Sequence, residues 1–239
     1  MIGSIPSMIR DNIERINKEL PSGVKLVAVS KFHPVESIVE AYDAGQRVFG
    51  ESRPQEFASK IESLKSLTCE SVPGGKFGDI EWHFIGHLQT NKLKLVLPYV
   101  SMVQSVDSAH LLGEIDRWGR DNGKVTDILL EMHLGAEESK QGFTEEELLD
   151  IMFRVSDGAF PSVRVCGLMG MATNTDDEAT IEADFGRIDS YMAYLVDLFP
   201  EMEHFNQLSI GMSGDWKLAV RHGATIVRIG TSIFGERNY

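Results

Sequence analysis

The chain has 239 residues, 42% hydrophobic and 25% charged, a globular balance whose length suits two small domains or one α/β barrel. Its formal net charge of −13 argues against nucleic acid as a partner, because phosphate backbones are met by clustered Lys and Arg, but it allows one local pocket for a small phosphate. The N-terminus lacks the apolar core of a signal peptide and no run approaches the roughly 18 apolar residues of a membrane helix, so a cytoplasmic protein without membrane contact is expected.

In chain order, Ser7–Leu20 has apolar residues at helical spacing and predicts an extra N-terminal amphipathic helix. Lys25–Ser30 is an apolar strand that ends at Lys31, and Pro34 opens a helix to about Ala44 with Gly45 as its cap. Gln46–Phe49 reads as the second strand, followed by a turn at Gly50–Pro54 and a helix to about Leu67. The stretch 68–79, with Pro-Gly-Gly at its centre, reads as a mobile surface loop within one domain. Further strands are expected at Glu81–Ile85, Tyr99–Gln104, Val125–Met132, Val163–Leu168, Phe205–Ile210 and Thr225–Ile229. Helices between them cover Lys92–Leu97, Ser108–Asn122, a Thr144-capped segment to about Val155, Asp176–Phe199 and Asp215–His222. Eight strands alternating with helices predict a (β/α)8 TIM barrel spanning 1–239 as a single domain. No glycine-rich fingerprint follows the first strand, which argues against a dinucleotide fold.

Ligands bind at the C-terminal ends of barrel strands, and Lys31 sits at such an end. An amine there can attack a carbonyl and form a Schiff base. The usual barrel phosphate site is built from the loops after strands seven and eight. Here these are Ser209-Ile210-Gly211-Met212-Ser213-Gly214 and Gly230-Thr231-Ser232. Their glycines permit close backbone approach and their hydroxyls can donate; the bland reading is ordinary turn residues with Ser213 as a helix cap. Arg228 interrupts the apolar run TIVRIG, where a charge is costly unless paired. Two readings stand: a partner for a buried carboxylate, or a donor to a ligand atom. Facing a pyridine nitrogen, it would keep that nitrogen unprotonated. An aldehyde acceptor, a phosphate cradle and a ring-nitrogen partner together match pyridoxal 5′-phosphate.

Smaller signals are weaker. Cys69 and Cys166 lie far apart, without disulfide or metal-ligand spacing, and Cys166 reads as a small core residue. His83 and His87 lack a third ligand, so a zinc site is not expected. Met169 and Met171 read as apolar packing or as contacts to a cofactor ring. The acidic run 137–147 reads as a solvated loop and helix start.

The segments LVAVSK at 26–31, AGQRVFGES at 44–52, WHFIGHLQTNK at 82–92, GLMGMAT at 167–173, LSIGMSGDW at 208–216 and VRIGTSIFG at 227–235 resemble the pyridoxal phosphate homeostasis proteins, single barrels related to the N-terminal domain of alanine racemase. The resemblance covers nearly the whole chain. It implies Lys31 as the Schiff-base lysine, Arg228 facing the pyridine nitrogen, and Ser209, Ser213, Gly230 and Thr231 holding the phosphate, with Gly211 and Met212 in the same loop. Ser52 stands where the family commonly has asparagine, and Phe32-His33 where Thr-Lys is common. The implied role is to hold the cofactor for vitamin B6 and amino-acid homeostasis with little or no catalysis, as a monomer or weak dimer, with cofactor-dependent apo-enzymes as recipients. Two alternatives are an amino-acid racemase and a Schiff-base aldolase acting on a sugar phosphate. Racemisation needs an acid/base on each face of the α-carbon. A chain that ends at Tyr239 leaves no room for the second domain that supplies the opposite base in alanine racemase. The aldolase leaves Arg228 without a role.

Overall fold

The computed structural model describes residues 8–67, 75–135 and 141–236. Eight strands are present: β1 (Lys25–Val29), β2 (Val48–Glu51), β3 (Glu81–Phe84), β4 (Met102–Val106), β5 (Thr126–Glu131), β6 (Val163–Met169), β7 (Gln207–Ser209) and β8 (Ile226–Ile229). All pair in parallel, in sequence order, and β8 closes onto β1 to complete the barrel. The surrounding helices are α1 (Met8–Glu19), α2 (Val35–Asp43), α3 (Pro54–Ser66), α4 (Leu93–Val96), α5 (Ala109–Asn122), α6 (Glu145–Ser156), α7 (Glu178–Leu198), α8 (Trp216–Arg221) and α9 (Thr231–Phe234). The expected TIM barrel with an added N-terminal helix is what the chain forms. Among the described residues no helix is long and apolar enough to cross a membrane.

Every strand is buried on both faces because side chains alternate across it. On β1, Val27 points into the barrel with Met102, Leu129, Cys166, Met169 and Ile226, while Leu26 and Ala28 face the helices among the larger core. Cys166 is thus the small core residue expected, and burial pushes its thiol up to about 11. Local signals set the helix ends. Ser108 caps α5 through the Leu111 N–H, Gly123 closes it at φ 63°, and Thr144 and Glu147 form a reciprocal capping box at α6.

Several boundaries move for identifiable reasons. β2 starts at Val48 because the Gln46 side chain donates to the carbonyls of Leu26 (2.9 Å) and Val48 (2.6 Å), replacing ladder pairing there. It runs on through Gly50 and Glu51 into the expected turn. β4 starts only at Met102, because Tyr99 and Val100 still donate to the Val96 carbonyl. The α2 cap is Ala44, with Gly45 following at φ 98°. The segment after β8, read as a loop, forms the short helix α9, and the Asn12 side chain of α1 donates to the Ile233 carbonyl at 3.0 Å. Residues 68–74 of the expected 68–79 loop, Cys69 among them, and 137–140 of the acidic run lie outside the described residues.

Among the described glycines, Gly167 on β6 leaves the least room for a side chain. Gly167 has φ 153°, and a Cβ there would lie 1.8 Å from the Gln207 carbonyl oxygen. That neighbour is backbone and cannot turn aside. Gly167→Ala is expected to cost more than about 2 kcal/mol by prying β6 from β7. Denaturant unfolding with an unchanged midpoint would contradict this.

Candidate functional site

The expected site residues gather at the C-terminal end of the barrel, Ser209 and Arg228 inside it and the others at its mouth. β1 and β8 pair with Val27 beside Arg228 and Ala28 beside Ile229. The pairing brings Gly230 beside Val29, two residues before Lys31. Lys31 is half-buried and occupies the second position of a tight turn, since the His33 N–H donates to the Ser30 carbonyl at 3.0 Å. At the close of β8, a Cβ on Gly230 would come within 3.2 Å of the Val29 carbonyl oxygen.

The loop after β7 leans onto the loop after β8. Ser213 Oγ accepts from the N–H groups of Gly230 (3.2 Å) and Ser232 (3.5 Å), so two backbone donors converge on one oxygen. Met212 N–H donates to Asp215 Oδ1 at 2.5 Å. Gly211 turns at φ 91°, where a Cβ would meet Ala219 Cβ at 2.6 Å and Trp216 Cα at 2.9 Å. Its carbonyl accepts from the Arg228 backbone at 2.9 Å. Gly211, Met212, Ser213, Gly230 and Thr231 therefore lie together on one rim, with Thr231 and Met212 exposed.

Ser209 lies deeper than its neighbours in the sequence motif. It is fully buried, and its hydroxyl belongs to a polar layer inside the barrel. Arg228 Nη1 donates to Ser209 Oγ (2.6 Å) and to the Ser209 carbonyl (2.8 Å), and Nη2 donates to the Gly170 carbonyl (3.0 Å). Among the described residues all these acceptors are neutral oxygens, so of the two readings of Arg228 a direct carboxylate partner is not what is found. Burial pulls the guanidinium down to about 10, against the attraction of Glu131 and Asp215, and it remains charged at neutral pH.

The direction of the chain beyond Arg228 follows from which groups can donate. Arginine has only donors. The Ser209 hydroxyl accepts from it and sends its own proton to Gln104 Oε1 at 2.7 Å. That orientation turns Gln104 Nε2 toward His83 Nδ1 at 2.7 Å. His83 must therefore accept at Nδ1 and carry its proton on Nε2 as a neutral ring. Burial pushes its pKa down to about 3, in agreement. His83 is committed to this relay, and among the described residues no group of three or more metal-ligating side chains occurs.

A cavity of about 870 Å³ opens beside this rim, between the ends of β5, β6 and β7, with Glu131, Met171, Met212 and Ser213 among its walls. Met169 packs inside the barrel and Met171 is 44% exposed at the mouth. Burial, then Asp107, push the Glu131 carboxyl up to about 7, against Arg228, His87 and His133. Glu131 ends β5, the strand opposite β1 in the closed order. His87 itself pairs with Asp107 at 3.0 Å. Gln104 and Glu131 escape the sequence reading, and His83 enters it only as a rejected metal ligand, although all three are polar residues at inward positions of otherwise apolar strands, the signal that flagged Arg228.

An eight-stranded barrel with a lysine at the tip of β1, a buried arginine on β8 and a backbone-lined rim between β7 and β8 defines an alanine-racemase-type barrel. The family model of the alanine racemase N-terminal domain matches residues 6–238. A pyridoxal phosphate homeostasis protein of Aquifex aeolicus is 39% identical over 220 residues, 90% of this chain and 88% of that protein. PipY of Synechococcus elongatus, solved with pyridoxal phosphate bound, superposes with a TM-score of 0.84 at 35% identity, covering 95% of this chain and all of that one. The alanine racemase of E. faecalis shares the fold alone, with a TM-score of 0.71 at 17% identity over 96% of this chain and 58% of its own. The chain belongs to the pyridoxal phosphate homeostasis protein family.

The neutral His83 ring sets an acid limit. The folded state refuses a proton down to about pH 3, whereas an unfolded histidine takes one near ~6.5. Stability therefore falls as pH drops below about 6.5, by up to about 1.4 kcal/mol per pH unit for this one group. His83→Asn cannot titrate there, so its deficit at pH 7 is expected to shrink toward pH 4. A deficit independent of pH in urea titrations would refute the neutral-ring assignment.

Proposed function

We propose that the chain binds pyridoxal 5′-phosphate through a covalent link at Lys31 and holds it for homeostasis of the vitamin, with little or no catalysis of its own. The carrying observation is the joint placement of Lys31, Arg228 and the Ser213–Gly230 rim on hydrogen-bonded neighbours β7, β8 and β1. The donor set fits this cofactor. Convergent backbone N–H groups on a glycine-relieved rim suit a phosphate, a buried fixed guanidinium suits a ring nitrogen, and a lysine at a strand tip suits an aldehyde. When bound, the cofactor supplies an aldehyde carbon that an amine takes up reversibly and a ring that withdraws electrons.

The chain's own groups then divide the work. The N–H groups of Gly230 and Ser232, which converge on Ser213 Oγ in this structure, would turn to the phosphate together with the hydroxyls of Ser213 and Thr231, and Gly211 and Met212 would shape the loop around it. Ser209 holds Arg228. Because Arg228 stays protonated, it donates and keeps a facing ring nitrogen without a proton. The relatives' names describe homeostasis rather than a reaction, which supports a holding role. Transfer to cofactor-dependent apo-enzymes, a cytoplasmic location, and a monomeric or weakly dimeric state complete the proposal.

A second reading is a cofactor-dependent amino-acid racemase. Glu131 favours it, because a mouth carboxyl with a pKa near 7 has the proton affinity a general acid/base needs. The purified protein is expected to be yellow when loaded, and borohydride is expected to fix the cofactor on Lys31. Lys31→Ala is expected to abolish that adduct. An adduct of equal yield in Lys31→Ala would overturn the assignment of the anchor. Transfer to an apo-enzyme without exchange of the amino-acid α-proton is expected. Turnover of a chiral amino acid would favour the racemase.

A further inference from the structure

Beneath Lys31 lies a buried ionic cluster that the proposed function does not use. Lys60, on α3, is almost fully buried, with a side chain 7% exposed. Its ammonium has three N–H donors and three oxygens around it: Glu51 Oε1 at 2.8 Å, Glu56 Oε1 at 2.7 Å and the Ser30 carbonyl at 2.8 Å. Ser30 Oγ donates to the same Glu51 oxygen at 2.6 Å. On the other side of Lys31, the Phe32 N–H donates to Glu56 Oε1 at 2.6 Å. The cluster therefore grips the backbone immediately before and immediately after Lys31.

The grip matters because the turn it holds is strained. Phe32 is the one described non-glycine residue with positive φ, at 67°, in the third position of the turn closed by His33 N–H and the Ser30 carbonyl. That position favours glycine, and a bulky side chain resists it. Three contacts oppose relaxation: the Glu56 carboxylate on the Phe32 N–H, the Arg53 guanidinium 4.1 Å over the Phe32 ring, and the His33 ring packed 5.1 Å from that of Phe234. Two of these come from the Arg53–Glu56 start of α3.

We propose that Glu56 and Lys60 are positioning residues for Lys31, holding the Ser30–His33 turn in its strained form so that the Lys31 amine is presented to the carbonyl it captures. This rests on Lys31 being the anchor. The two ideas separate in experiment because pyridoxine 5′-phosphate, which carries an alcohol in place of the aldehyde, uses the rim and Arg228 but cannot bond to a lysine.

The test compares the wild type with Glu56→Ala and Glu56→Gln. For each, the rate of capture of pyridoxal 5′-phosphate is followed by visible absorbance, the attachment site by borohydride fixation and peptide mapping, and the affinity for pyridoxine 5′-phosphate by calorimetry. Glu56→Ala is expected to slow capture by about ten-fold or more, since sub-ångström misplacement of a reacting group has effects of this size. Affinity for pyridoxine 5′-phosphate should stay within about two-fold, because the rim is not in the cluster. Glu56→Gln keeps an acceptor for the Phe32 N–H and is expected to retain most of the wild-type rate. Parallel losses for both ligands, a wild-type capture rate in Glu56→Ala, or a Gln variant as slow as the Ala variant would each overturn the proposal. A wild-type protein fixed at a residue other than 31 would instead bring down the anchor, and the positioning role with it.

Discussion

The burial of Arg228 constrains everything above the barrel floor. A guanidinium inside an eight-stranded barrel is tolerable only where donors find acceptors, and the polar layer answers that demand. β7 supplies the Ser209 carbonyl and hydroxyl, and the end of β6 supplies the Gly170 carbonyl. The remaining polarity passes through Gln104 on β4 to His83 on β3. Five strands, β3, β4, β6, β7 and β8, are thus tied across the interior by one set of oriented donors. The orientation is not reversible, because arginine cannot accept and so each later group must pass its proton onward.

That directionality bears on the proposed role. In the proposed arrangement, a fixed cationic donor beneath the mouth would leave a facing ring nitrogen unprotonated, making the ring a weaker sink for electrons than a protonated one. The polar layer ends in a neutral histidine rather than in a carboxylate, so it offers no proton of its own at neutral pH. Glu131 is the mouth carboxyl whose proton affinity lies near neutrality. These features suit a site that retains a reactive aldehyde without strongly driving carbanion chemistry.

Much of this was legible in the sequence where a residue broke a local pattern. Arg228 broke an apolar strand, Lys31 ended one, and the glycines after β7 and β8 marked close backbone approach. The β/α alternation gave the barrel because parallel strands buried on both faces leave continuous apolar runs. What escaped is non-local. Gln104 and Ser209 are 105 positions apart in the chain, and no local pattern announces that a buried Gln will orient a buried His. Ser209 carried the opposite risk: its motif placed it with the rim, but strand alternation turns it inward, into the same layer as Arg228. Lys60 was hidden because, in sequence, α3 has an ordinary amphipathic face and a lysine on it looks solvated, and its partner Glu51 because it sits at the end of β2, where the sequence reads a turn. The short α9 was missed since four residues with no strong cap carry little helical signal.

The β8–β1 seam joins these parts. In the register that sets Val27 beside Arg228, both side chains face inward, and two residues further along each strand the chain reaches Val29 and Gly230, whose close approach only a residue without a Cβ accepts comfortably. Shifting this register by one residue would send Arg228 toward the helices and break its contacts with Ser209. It would also carry Gly230 away from Val29 and separate the rim from the turn that bears Lys31. The three proposed handles are therefore one structural unit, fixed by the β7–β8 and β8–β1 pairings. At the end of β1, the last hydrogen bond to a neighbouring strand is that of the Ser30 N–H to the Gly50 carbonyl at 3.1 Å; beyond it the Lys60–Glu51–Glu56 cluster takes over as the support proposed for the Lys31 turn.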